Sequence, residues 1–100
     1  STADMLVELG YQVIEAASAT EALALIENGL QFDLLLTDHL MPGMTGTDLA
    51  RRVRRRWPRH PVLVVSGFAE ADGVASDIPR LTKPFRQADL ARSLAAFSTD

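Results

Sequence analysis

The stretch Phe32-Asp-Leu-Leu-Leu-Thr-Asp38-His-Leu-Met-Pro-Gly-Met-Thr-Gly46 decides how this chain folds. Its first half, residues 34–36, is an unalternating leucine run far too short to span a membrane, the pattern of a strand buried on both faces of a parallel sheet. Asp38 stands where that run stops. Ligands in open α/β sheets bind outside the carboxyl ends of the strands, so an acid ending a strand and followed by Pro42, Gly43 and Gly46 lies on a crevice lip. Asp also starts turns, and Asp38 taken alone fits either role.

Working outward, residues 1–9 carry Met5, Leu6 and Leu9 on one helical face and end at Gly10, which reads as a helix stopped by a glycine C-cap. Residues 11–16 are β-branched and aromatic enough for a short strand. Ser18-x-x-Glu21 then forms a capping box for a helix reaching Asn28-Gly29, with Ala22, Leu23, Leu25 and Ile26 as its apolar stripe. After Gly46, Thr47 or Asp48 caps a helix running to Arg56, where Pro58 and Pro61 end it. Residues 61–66 form a second buried strand. The sixteen residues 67–82 must hold a two-turn helix near 70–75, a loop and a strand at 80–82. A last helix over 87–97 presents Leu90, Leu94 and Phe97 to the sheet. Strands alternating with helices at this pitch predict a doubly wound α/β fold.

Composition sets bounds. One hundred residues with 47% hydrophobic content suffice for one core and one domain. With no cysteine, neither a disulfide framework nor a cysteine zinc site is possible, which suits a reducing, cytoplasmic setting. No apolar run approaches the roughly 18 residues of a membrane helix, so no membrane partner is expected. A net charge of −3 argues against nucleic acid, although six of the ten basic residues lie within 51–59. Positive charge near a helix's C-terminal end is better read as a solvated face complementing the helix dipole.

Three segments together carry a resemblance: Asp38-x-x-Met-Pro-x-Met-x-Gly46, then Val62-Leu-Val-Val-Ser66-Gly67, then Thr82-Lys83-Pro84-Phe85. In this order and spacing they resemble the receiver (CheY-like) domain of two-component response regulators. The resemblance covers essentially all 100 residues, beginning partway into the family's first helix. It implies a flavodoxin-like parallel sheet of order 2-1-3-4-5, with Asp38 as phosphoacceptor, Ser66 as switch hydroxyl and Lys83 as active-site lysine. It also implies Mg²⁺ held by Asp38, the backbone carbonyl of Leu40 and an acidic pair ending a first strand that would precede Ser1. That strand is central in the order, and without it two rows of buried backbone groups lose their partners. The native protein is therefore expected to extend further at its N-terminus, residues 1–100 being an incomplete receiver. Two features depart from the family: the short 67–82 segment with its cramped fourth helix, and Arg80, where an aromatic is common three residues before the lysine.

The implied chemistry is a signalling phosphoacceptor rather than a conventional enzyme. A histidine kinase or phosphotransfer protein would supply the phosphate, to a freestanding receiver or to one at the C-terminus of a hybrid kinase. The competing reading is a pseudo-receiver that only binds other proteins; the sequence leaves its oligomeric state open. A haloacid-dehalogenase-like phosphatase also uses a strand-end aspartate but needs a second acid two residues on, where this chain has Leu40. Leu40 and Phe68, two residues beyond Asp38 and Ser66, are both apolar, so slow hydrolysis of the phosphate is expected. His39 invites a metal-ligand reading, but no second histidine is near it in sequence, which favours a neutral loop residue. Trp57 and Met44 read as packing residues.

Overall fold

Residues 62–66 are uncharged and mostly β-branched, and they build the centre of the sheet. The computed structural model of the chain describes residues 1–67 and 77–98. In it β1 (Leu35–Asp38), β2 (Val62–Gly67) and β3 (Arg80–Lys83) form a parallel sheet in the order β1-β2-β3. This is the 3-4-5 portion of the expected order. β2 pairs on both sides, with Leu35 opposite Val62 and Asp38 opposite Val65 on one flank, and Val64 opposite Arg80 and Gly67 opposite Lys83 on the other.

Among the described residues four helices, α1 (Thr2–Glu8), α2 (Ala19–Glu27), α3 (Gly46–Arg56) and α4 (Gln87–Ala95), cover the two faces, and a 3₁₀ turn (Ala96–Ser98) follows. Successive side chains of a strand point to opposite faces, and β2 shows it. Val62 and Val64 pack with Ala19 and Ile26 of α2 and Leu49, Ala50 and Val53 of α3. Leu63 packs on the other side with Leu6 of α1 and Leu90 and Leu94 of α4. Helices on both faces of a parallel sheet make this a doubly wound, flavodoxin-like α/β fold. Among the described residues no helix is long and apolar enough to cross a membrane.

Helix ends follow their capping chemistry. Ser18 Oγ accepts from the Glu21 amide at the start of α2, and the Asp89 carboxylate accepts from the Arg86 amide at the start of α4. That backbone bond, aided by Arg92, holds the Asp89 carboxyl below its ordinary value. Arg54, Arg55 and Arg56 occupy the last turn of α3, where cations complement the helix dipole. Arg54 also donates to the carbonyl of Asp77, tying α3 to the residues ahead of β3. Trp57 and Met44 pack against the core as expected.

Three sequence expectations need correction. Residues 11–16 form no strand. In the 2-1-3-4-5 order the second strand pairs only with the first, which is not among residues 1–100, and β propensity without a ladder leaves backbone groups no reason to extend. Only Val13 of this segment packs on the core, while Ile14 is exposed. Leu34, Leu35 and Leu36 are half-buried rather than enclosed, because among the described residues β1 has a neighbouring strand on one side only. The cap of α3 is Thr45, whose hydroxyl accepts from the Asp48 amide; neither Thr47 nor Asp48 plays that part. The short helix expected at 70–75 lies outside the described residues, as does Phe68.

Leu63 is 2% exposed and is the one β2 residue in the cluster shared by α1 and α4. Leu63→Ala is expected to cost about 2–5 kcal/mol in urea unfolding, the range for a buried leucine whose surroundings relax only partly. A loss below about 1 kcal/mol would mean that this face of the sheet is not packed as described.

Candidate functional site

Parallel pairing brings three sequence-distant residues to one edge. Asp38 is the last residue of β1, Lys83 is the last of β3, and Ser66 is one residue short of the end of β2. The register sets Ser66 opposite Thr82 and Gly67 opposite Lys83, so all three lie at the carboxyl ends of adjacent strands. Lys83 Nζ is 3.1 Å from Asp38 Oδ1, and both side chains are about half exposed, at 50% and 55%. An ion pair this open contributes about 0–1 kcal/mol to stability. The Lys83–Pro84 peptide is cis.

Ser66 differs in kind. It is wholly buried, and among the described residues its Oγ has no hydrogen-bond partner. A buried hydroxyl left unpaired costs about 1–3 kcal/mol, and such groups in a well-packed interior call for a reason. Here the orphan lies at the strand edge that carries Asp38 and Lys83.

The turn after β1 is stitched closed. The His39 amide donates to Val65 O at 2.8 Å, extending the ladder one residue past the strand, and the Gly46 amide returns to His39 O at 2.8 Å. Gly43 makes the intervening bend at φ 80°, a conformation that glycine adopts without cost. Gly46 is required for a different reason. A Cβ there would stand 1.7 Å from the Asp38 carbonyl oxygen and 2.9 Å from Thr37 Oγ1. Along the strand end Thr37 points in, Asp38 out and His39 in. His39 is 7% exposed, with Nδ1 2.7 Å from Thr47 Oγ1. The sequence reading missed this pairing, although the period-two alternation through Asp38 could have flagged it.

Leu40 is 65% exposed on the loop, and Arg80 is an exposed residue of β3. Asp33 precedes β1 at its far end, Asp48 lies in the first turn of α3, and Asp77 precedes β3. Mg²⁺ demands octahedral oxygen ligation and usually one or two carboxylates besides phosphate. Among the described residues no three His, Asp or Glu side chains come together to hold a metal. A single carboxylate with an ammonium 3.1 Å away does not by itself fit the ion. A broad cleft lined by Ile26, Leu30, Phe32, Asp33, Trp57 and His60 lies at the opposite end of β1 and contains none of Asp38, Ser66 or Lys83.

Because the two nearest atoms a Cβ at Gly46 would meet are the backbone O and C of Asp38, Gly46→Ala must move the strand end itself. An overpacking loss of about 3 kcal/mol is expected, against about 1–2 kcal/mol for Gly43→Ala, which meets open space and suffers only its positive φ. Equal losses in denaturant unfolding would contradict the close approach.

Comparison with known proteins agrees with this geometry. Residues 1–95 match the response regulator receiver domain family. Sensor kinase CckA of Brucella abortus is 39% identical over 92 residues, covering 85% of this chain and 10% of the kinase. Chemotaxis protein CheY of Pseudomonas aeruginosa is 43% identical over 74 residues, covering 71% of this chain and 59% of that protein. The chain thus spans less than two thirds of the length of either relative. A response regulator receiver domain protein from Clostridium thermocellum superposes with a TM-score of 0.81 at 27% identity, covering 96% of this chain and 82% of that one. Parallel strands that bring an acid, a hydroxyl and a lysine to one edge, together with these likenesses, make the chain a member of the response regulator receiver domain family of two-component signalling.

Proposed function

We propose that Asp38 accepts a phosphoryl group from a histidine kinase or a phosphotransfer protein, and that Lys83 and Ser66 convert its arrival into a shape change. The observation that carries this reading is the Lys83 Nζ to Asp38 Oδ1 pair at 3.1 Å on the strand edge. A carboxylate and a phosphoryl group repel each other, so transfer needs a cation beside the acceptor. An ammonium held by the neighbouring strands' register supplies one without a large rearrangement.

In the step itself, an Asp38 carboxylate oxygen bonds to phosphorus while the phosphorus–nitrogen bond to the donor imidazole breaks. The imidazole nitrogen keeps the electron pair and takes a proton from solvent. Lys83 then pairs with a phosphoryl oxygen instead of with the bare carboxylate. The new group brings about −1.5 to −2 of charge and strong acceptor oxygens. Ser66 Oγ, buried without a partner, is a donor held in reserve for one of them. Drawing that hydroxyl over would pull the residues that follow β2. Mg²⁺, as the family uses it, would need carboxylates beyond those that the described residues gather at Asp38. The exposed Leu40 offers no polar group to orient an attacking water, which favours a long-lived phosphate.

Phosphate mapping by mass spectrometry on the native protein, incubated with a small acyl phosphate and Mg²⁺, tests the reading. One acid-labile phosphate is expected, on Asp38, and it should vanish in Asp38→Asn. Lys83→Ala should slow its uptake at least about a hundredfold, as expected on removing a preorganised charge from a transition state. Undiminished labelling of Asp38→Asn would overturn the assignment. A protein that takes up no phosphate at all would instead be a pure interaction module.

A further inference from the structure

We infer that His39 is a positioning residue for Asp38, acting through its buried hydrogen bond to Thr47; this rests on the reading of Asp38 as the phosphoacceptor. Asp38 is the last residue of β1, so nothing beyond it in the strand fixes which way its carboxylate faces. Three bonds of the next residue do so. The His39 amide holds Val65 O, its carbonyl receives the Gly46 amide, and its ring holds Thr47 Oγ1, at 2.8, 2.8 and 2.7 Å. The first two are backbone bonds that any residue but proline would make at 39. The third depends on the side chain, and it reaches across the turn into the first turn of α3.

The burial pattern says what this bond controls. His39 and Thr47 are 7% and 3% exposed, and Asp38, between two inward-facing residues, is turned out to solvent. Sliding or twisting the strand end by one position would exchange these faces, because strand side chains alternate. The Thr47 hydroxyl stays buried whichever way residue 39 faces, so rotation of His39 out of the interior would leave that hydroxyl without its partner and would empty the space the ring fills. The side-chain bond thus opposes rotation of the backbone that carries the Asp38 carboxylate. Thr47 in turn is fixed by α3, which Thr45 caps and which packs on β2 through Leu49, Ala50 and Val53. The acceptor's aim is referred to the most buried part of the molecule. Small displacements of a reacting group cost rate steeply, up to about a hundredfold for 1 Å.

The test uses the native protein and four variants: His39→Leu, Thr47→Val, their double, and His39→Asn, whose amide places a polar atom near the position of Nδ1. Two quantities are read: the rate of phosphate uptake from a small acyl phosphate at fixed Mg²⁺, and amide hydrogen exchange at His39 and Gly46. His39→Leu and Thr47→Val should each slow uptake about tenfold, and the double should be within about twofold of either single, since both remove one bond. His39→Asn should recover most of the rate, and exchange at both amides should quicken in the Leu and Val variants only. Unchanged uptake in a folded Thr47→Val variant, or additive losses in the double, would overturn the inference. Should the native protein take no phosphate, the reading of Asp38 fails; the exchange measurement still decides the clamp, which unchanged protection would refute.

Discussion

The two parallel ladders flanking β2 are the constraint from which the rest follows. Parallel strands run the same way, so each ends at the same edge of the sheet, and β2 pairs with β1 through Val62–Val65 and with β3 through Val64–Gly67. Residues 38, 66 and 83 meet for that reason alone. The same pairing forces the connections to cross back over the sheet, which is why helices cover both faces. A strand enclosed on both faces must be apolar throughout, and Val62, Leu63, Val64 and Val65 are each no more than 2% exposed. At about 1.5–3 kcal/mol for each such side chain, β2 and its helices supply the stability that the edge does not.

The edge is organised on different terms. The Asp38–Lys83 pair is half open to water and adds little to folding, while the unpaired Ser66 hydroxyl subtracts from it. A molecule shaped for stability alone would have no use for either arrangement. Both make sense where a ligand is to arrive: an exposed pair can exchange partners at small cost, and a buried donor without an acceptor gains one. The departure from local consistency falls at the candidate site, and the core offsets it.

Much of this was legible in the residues. An unalternating leucine run marked β1 and an uncharged, β-branched run marked β2, and glycine after an amphipathic stripe marked the end of α1, where Gly10 has φ 98°. Asp38, Ser66 and Lys83 could be singled out by their place at strand ends and by their resemblance to the receiver family. What escaped depends on contacts between elements. Residues 11–16 have the composition of a strand but no ladder to join. Thr45, Thr47 and Asp48 all suit an N-cap, and only the path of the turn decides that Thr45 is the cap while Thr47 turns inward to His39. Gly46 reads in sequence as a turn residue, yet what it provides is room beneath the Asp38 carbonyl.

The central claim is that the three strand ends act as one site, so that a charge placed on Asp38 is felt at Ser66 and Lys83 first. The most direct measurement is the change in amide and side-chain NMR shifts when the native protein is phosphorylated. The account predicts large changes at Ser66, Gly67 and Lys83, with the cleft around Phe32 and Trp57 at the other end of β1 little altered. Phosphorylation of Asp38 that left Ser66 and Lys83 unmoved would contradict it.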